Sequence, residues 1–174
     1  MPSSDVAYWG LSLQLIGAVQ TLYNPITDGI YPEMLRTKSL SFIRNVLKII
    51  MPLIAAGCIF SFVAADLILR TIGGEKYMFA SATFRCLVPV LLFSFPAMTL
   101  GWPTLGAIGK AKEVTFTTIL TAAVQVVGLA LLGLMNVFSL VSIALLRSGT
   151  ECLLFISRLL ICIRCREEFA AIQK

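Results

Sequence analysis

The sequence predicts an all-α, polytopic transmembrane bundle, on three observations. Apolar residues make up 58% of the 174-residue chain and charged residues only 13%, with a mean hydropathy of +0.91. A soluble domain has about 25% charged and 45–50% apolar residues. The apolar residues also form runs that are too long and continuous for the strands of a membrane β-barrel. We therefore expect one helical bundle of about five spans, surrounded by membrane lipid.

Five stretches are long and apolar enough to cross about 30 Å of hydrocarbon, which takes about 20 helical residues. In order, they cover residues 8–31, 46–69, 87–108, 114–135 and 137–163. Short turns separate several of them, at Gly73-Gly74, at residues 109–112 and at Asn136. No linker or shift in composition divides the chain, so we predict a single domain over residues 1–174.

Basic residues in short loops mark the cytoplasmic side of a membrane protein. The side reached after the first, third and fifth spans carries nine of them, and the opposite side carries two, Arg70 and Lys76. The nine are Arg36, Lys38, Arg44, Lys48, Lys110, Lys112, Arg164, Arg166 and Lys174. The predicted orientation is therefore N-terminus outside and C-terminus in the cytoplasm. This distribution, with a net charge of +5, is typical of membrane topology, and we expect no nucleic-acid partner.

The fifth predicted span carries Arg147, Glu151 and Arg158. At 100° per residue they fall within about 40° of one another, on one helix face. One interpretation is structural, in which Arg147 and Glu151 pair four residues apart and Arg158 reaches the inner headgroups. The other is functional, in which the stripe is a cationic wall that meets an anionic group such as a pyrophosphate.

The first predicted span carries a second polar stripe, formed by Gln20, Asn24, Thr27 and Tyr31, with Asp28 slightly to one side. Hydrogen bonds between helices would explain the amides without a substrate. Asp28 requires a partner or water, which makes it a candidate for lining a cavity. Pro25 removes a backbone donor within this span, and we expect a kink there.

The third predicted span contains Pro89, Pro96 and Pro103, which break the helical ladder where neighbours or cavity water satisfy the freed carbonyls. Arg85 precedes this span and has two interpretations, an anchor at the outer headgroups or part of a positive vestibule. We expect Asp66 and Arg70 to pair along the second span. In the fourth span, Thr118, Thr121 and Gln125 share a face and are expected to bond neighbouring helices.

The sequence shows no nucleophile–base pair, phosphate-binding loop, dinucleotide glycine pattern or metal-ligand cluster. Histidine is absent. Cys162 and Cys165 form a lone C-x-x-C that lacks the two further ligands of a zinc site. We therefore predict no enzyme, catalytic residue, metal or cofactor, and a membrane-bound enzyme is the least favoured alternative.

Two segments resemble one known family. Residues 24–36 read NPITDGIYPEMLR and residues 101–110 read GWPTLGAIGK. They resemble helix exits of the polysaccharide and O-antigen flippases of the multidrug/oligosaccharidyl-lipid/polysaccharide exporter superfamily, and the resemblance extends over residues 6–163. These proteins flip undecaprenyl-pyrophosphate-linked oligosaccharide across the bacterial inner membrane by alternating access, in lipopolysaccharide and other polysaccharide biosynthesis. They have about twelve to fourteen spans in two related halves.

The resemblance implies that this chain corresponds to the C-terminal part of such a flippase. Removing seven spans from twelve leaves five, with the orientation that the loop charges predict. Such a fragment is expected to be inactive without its N-terminal half. The resemblance also implies a cationic central cavity, for which Arg85, Arg147 and Arg158 are the candidates. Asp28, Asn24 and Gln20 are candidates for binding sugar hydroxyls or a coupling cation.

Two alternatives to the flippase fragment stay open. One is a small transporter that forms its pathway by oligomerising. The other is a non-transporting membrane subunit that holds together a glycan-assembly complex with a polymerase or glycosyltransferase. In every case we expect a multi-pass protein of the cell inner membrane.

Overall fold

The computed structural model describes residues 3–172, and the side chains of residues 5–169. Within that range the chain is helical and contains no strand. The eight α-helices are α1 (Ser3–Thr21), α2 (Tyr23–Thr37), α3 (Leu40–Val63), α4 (Ala65–Gly73), α5 (Ser81–Thr99), α6 (Ala111–Leu134), α7 (Leu140–Arg164) and α8 (Arg166–Ile172). The predicted all-α bundle is confirmed.

Short helical segments extend α5 in both directions. A 3₁₀ segment, Glu75–Ala80, precedes it, and a π segment, Leu100–Leu105, and a 3₁₀ turn, Gly106–Ile108, follow it. Four helical stretches in the described residues are long and apolar enough to cross a membrane: Leu40–Val63, Glu75–Ile108, Ala111–Leu134 and Leu140–Arg164. The chain is thus a multi-pass membrane protein by the length and composition of its helices.

The first predicted span is not among these four. It is divided into two helices: α1, with 19 residues, is long enough but not apolar enough, and α2, with 15 residues, is too short. α1 ends at Thr21 and α2 begins at Tyr23, so the chain breaks at Leu22 rather than bending at Pro25. Pro25 has no N–H to bond the carbonyl four residues earlier, that of Thr21, and therefore sits in the first turn of α2. The count of spans is four, or five if α1 and α2 cross together.

The second predicted span, residues 46–69, also contains a break. α3 begins six residues earlier, at Leu40, where Ser39 accepts a 3.4 Å hydrogen bond from the Phe42 N–H as its N-cap. It ends at Val63, and the separate helix α4 follows Ala64. The sequence does not show this break because no proline or glycine stands there.

The predicted turns occur where they were expected. Gly74 and Gly109 have φ angles of 86° and 82°, in the left-handed region that glycine enters without a steric penalty. Asn136, between α6 and α7, has φ of 54°, a conformation that asparagine tolerates better than most residues. These turns keep successive helices adjacent in the bundle.

α5 lies at the centre of the bundle and packs against α1, α3 and α7. Half of the residues in its most apolar stretch are buried, against 6% in α3 and 11% in α6. The outer faces of α3 and α6 carry exposed large apolar side chains such as Ile49, Leu53, Phe116 and Val126. A surface of this kind is typical of helices that face lipid. The core is therefore built around α5, with α3 and α6 at the periphery.

Candidate functional site

A cavity of about 470 Å³ opens between α2, the end of α5, α6 and α7. Its walls combine polar, charged and aromatic side chains that lie far apart in the sequence. The lining residues are Asn24, Thr27, Asp28, Tyr31, Met98, Trp102, Pro103, Val114 and Arg158. We call this space the polar cavity.

α2 forms one wall of the polar cavity, and the helical spacing of its buried residues decides which of its side chains line that wall. Tyr23, Thr27 and Ile30 recur every three to four residues and face the core. The Thr27 hydroxyl donates to the carbonyls of Tyr23 and Asn24 at 3.1 and 3.0 Å, which satisfies it within the helix. Asn24 and Asp28 flank that buried face and are exposed to the cavity. Asp28 makes no ion pair with any described residue.

The wall of the polar cavity that follows α5 is formed where this central helix breaks. Gly101 has non-helical backbone angles, φ −71° and ψ −115°. Pro103 cannot bond the carbonyl of Thr99, and the Thr104 hydroxyl donates to that carbonyl instead, at 2.7 Å. The break exposes Trp102, whose ring lies nearly parallel to that of Tyr31, at 28° and with 6.4 Å between ring centroids. Two aromatic faces therefore border the polar cavity.

Arg158, on α7, is 7% exposed and binds the broken end of α5. Its Nη1 donates to the carbonyl of Ala97 at 2.7 Å, and its Nη2 donates to the Thr118 hydroxyl at 2.9 Å. A longer bond, 3.4 Å, joins its Nε to the Thr117 hydroxyl. The interpretation in which Arg158 reaches the headgroups is therefore wrong, because its guanidinium turns inward and joins three helices.

Gly101 makes room for this guanidinium. A Cβ at position 101 would lie 2.6 Å from Arg158 Nη1 and 2.9 Å from its Cζ. A guanidinium has five N–H donors, and three of them are used by the bonds to α5 and α6. No carboxylate in the described residues forms an ion pair with Arg158. Its positive charge is thus held by neutral acceptors at the wall of the polar cavity.

A second cleft, of about 420 Å³, lies between α6 and α7 and contains the other two residues of the fifth-span stripe. Arg147 and Glu151 form the predicted pair, with 2.6 Å between Nη2 and the carboxylate oxygen. The predicted bond between helices is also present: the Thr150 hydroxyl donates to Gln125 Oε1 at 2.7 Å. Thr118 lines this cleft and also accepts from Arg158, so it joins the cleft to the polar cavity.

Arg85 lines neither the polar cavity nor the second cleft. Its contacts show that one predicted ion pair is wrong. It binds Asp66 at 2.8 Å and the carbonyl of Phe62 at 3.1 Å. Arg70 instead pairs with Glu75 at 2.7 Å. The predicted Asp66–Arg70 pair is wrong, because the chain turns after α4 and brings better-placed partners to each residue. Arg85 joins the start of α5 to the end of α3.

Gln20 is also separated from the predicted stripe. It lies on α1, before the break at Leu22, and is not among the residues that line the polar cavity. Cys162 and Cys165 are free, buried thiols, and the Cys162 Sγ contacts the Leu100 carbonyl at 3.9 Å. Groups of three or more potential metal ligands are absent from the part of the chain that the structure describes.

Gly101 and Trp102 were not among the residues that the sequence predicted for the site. The available signal was the glycine two residues before Pro103, since such a pair marks a helix break. Nothing in the sequence indicated which side chain would occupy the space that Gly101 leaves. Comparisons of the chain with protein-family models, curated proteins and solved structures find no match.

Proposed function

We propose that the chain acts in membrane transport, as the C-terminal part of a flippase-like carrier. Its substrate would be an undecaprenyl-pyrophosphate-linked oligosaccharide, moved across the inner membrane by alternating access in O-antigen or polysaccharide biosynthesis. The polar cavity is the observation that supports this proposal. It brings a guanidinium, a carboxylate, an amide and two aromatic faces to one concave surface of a membrane bundle.

Each lining group suits one part of such a substrate. Arg158 supplies positive charge to a pyrophosphate and keeps two N–H donors beyond its bonds to the protein. Asn24 and Asp28 offer an amide and a carboxylate to sugar hydroxyls or to a coupling cation. The faces of Tyr31 and Trp102 can pack against the C–H faces of a sugar ring. Arg147, in the neighbouring cleft, is paired with Glu151, so that pair adds no net charge beside the polar cavity.

The broken central helix supports an alternating-access mechanism. Irregular backbone at membrane depth is tolerated where it is buried in protein or lines a cavity, and transporters place their substrate sites at such breaks. Here the break at Gly101 lies at the wall of the polar cavity, and Arg158 connects it to α7. A change in that contact would couple the cavity to movement of the end of α5.

The experiment is rescue of surface polysaccharide in cells that lack their own flippase, using the chain co-expressed with the matching N-terminal seven spans. We expect rescue with both pieces and none with either alone. Trp102→Ala and Asp28→Asn should each lower export at unchanged membrane levels. Trp9→Ala, outside the cavity, is the matched control. Absence of rescue when both pieces are in the membrane would reject the flippase assignment.

A second candidate is a small transporter that completes its pathway by oligomerising. The exposed side chains of Asn24, Asp28 and Trp102 favour it, because they leave the polar cavity open for another subunit to close. A stable cross-linked homo-oligomer with solute flux in liposomes would support this candidate over the flippase. Co-purification with a glycan polymerase or glycosyltransferase, without binding of lipid substrate, would instead support a scaffolding subunit.

A further inference from the structure

A third concave surface, a groove of about 550 Å³, lies between the first half of α3 and the end of α7. It shares no lining residue with the polar cavity. Its base is formed by the buried side chains of Ile43, Leu100 and Cys162. Its walls are apolar side chains that face outward from the two helices: Leu47, Met51, Leu159 and Ile163. We call it the α3–α7 groove.

Three basic residues line the α3–α7 groove. Arg44 and Lys48 lie one turn apart on α3, and Arg166 begins α8 just after α7 ends. All three are exposed, and none forms an ion pair with a carboxylate of residues 5–169. No acidic residue lines the groove. The groove therefore combines apolar walls with three basic side chains that no carboxylate of residues 5–169 neutralises.

Five other basic residues differ from these three, because a carboxylate of the same chain neutralises each of them. Arg36, Arg70, Arg85, Lys110 and Arg147 each pair with a carboxylate of the chain. Five of the nine acidic residues are used in those pairs. Arg44, Lys48 and Arg166 have no such partner among residues 5–169 and are available to bind an anion from outside the chain.

We propose that the α3–α7 groove binds one anionic phospholipid. Its phosphate would lie against Arg44, Lys48 and Arg166, and one acyl chain would follow the apolar walls formed by Leu47 and Leu159. Basic pockets between transmembrane helices bind anionic headgroups in this way. The groove continues into the exposed apolar face of α3, where the remaining acyl carbons meet bulk lipid. With the orientation that the loop charges predict, the lipid belongs to the cytoplasmic leaflet.

The test is native mass spectrometry of the purified chain in detergent with dioleoyl-phosphatidylglycerol or dioleoyl-phosphatidylcholine at equal concentrations. We expect one tightly retained phosphatidylglycerol, preferred by at least about tenfold over phosphatidylcholine. The variant Arg44→Gln/Lys48→Gln/Arg166→Gln should lose that preference. The control Lys76→Gln/Lys112→Gln/Arg164→Gln removes the same charge from exposed positions outside the groove and should keep it.

Two further measurements separate a lipid site from a general anion site. Ile163→Trp narrows the groove without changing charge and should reduce retention of phosphatidylglycerol. Glycerol 3-phosphate, which lacks acyl chains, should not displace the lipid at millimolar concentration. Equal retention of both lipids by the wild type, equal loss in the control variant, or displacement by glycerol 3-phosphate would each overturn the proposal. Circular dichroism verifies that every variant remains helical.

Discussion

The two arginines of α7, eleven positions apart on one helix face, are held in different ways. Arg147 is neutralised within its own helix by Glu151, and its side chain is 40% exposed. Arg158 is buried, has no carboxylate partner among residues 5–169, and binds a carbonyl of α5 and two hydroxyls of α6. The first charge is balanced locally, whereas the second depends on how three helices meet. Two arginines on the same face of α7 therefore have different structural roles.

The largest effect is expected from Gly101→Ala, which disturbs the packing around the Arg158 guanidinium. The new Cβ would push aside the guanidinium, which is the flexible end of its side chain but is held by three hydrogen bonds. Losing those bonds or overpacking the site costs about 1–3 kcal/mol. We expect a lower Tm in detergent, measured by the temperature dependence of size-exclusion peaks. Gly57→Ala is the control, because a Cβ there meets nothing within 4 Å.

A double variant makes this prediction specific to Arg158. If the guanidinium causes the clash, Gly101→Ala/Arg158→Met should be more stable than the sum of the two single changes predicts. Additive losses would show that Gly101 is required for another reason.

Arg158→Met should cost about 1–2 kcal/mol, since it removes three hydrogen bonds between helices that are worth about 0.6 kcal/mol each in membrane proteins. Its partners keep other bonds: the Thr117 and Thr118 hydroxyls both donate to the Val114 carbonyl. The measurement is the fraction folded during titration with a denaturing detergent. A loss no larger than that of Arg147→Met would remove the distinction between the two arginines.

The Arg147–Glu151 pair should respond asymmetrically to removal of either partner. Glu151 has 9% of its side chain exposed and Arg147 has 40%, so Arg147→Met leaves a buried acid unpaired, at a cost of about 1 kcal/mol. Glu151→Gln leaves a half-exposed arginine and should cost about 0.5 kcal/mol or less. The same detergent titration compares the two variants. Equal losses would contradict the burial difference on which the prediction rests.

A small effect, similar in size to that of Glu151→Gln, is expected from Thr150→Val, in the cleft that contains Arg147. It removes the bond to Gln125, for which about 0.6 kcal/mol is the average in a membrane bundle. Thr150→Ser, which keeps the hydroxyl, is the matched control and should behave as the wild type. A Tm for Thr150→Val equal to that of the control would show that Gln125 finds another donor.

The sequence predicted the features that depend on neighbouring residues. The helical class, the turns at Gly74, Gly109 and Asn136, and the Arg147–Glu151 pair all follow from local spacing and are confirmed. The break near Pro25 was expected, and its position differs by three residues because proline disturbs the turn before it. The predicted pair between Asp66 and Arg70 also rested on local spacing, and it is wrong. The fold brings Arg85 to Asp66 and Glu75 to Arg70 instead.

By itself, therefore, the sequence determined that the chain is a helical membrane protein, where its apolar stretches lie and which side chains share a helix face. These properties are set by composition and by a fixed rotation per residue. Only the tertiary structure decided that Arg158 binds the Ala97 carbonyl near the break of α5 and borders the same cavity as Asp28 and Trp102. Those residues come from three different helices, and their meeting depends on packing that no local pattern encodes.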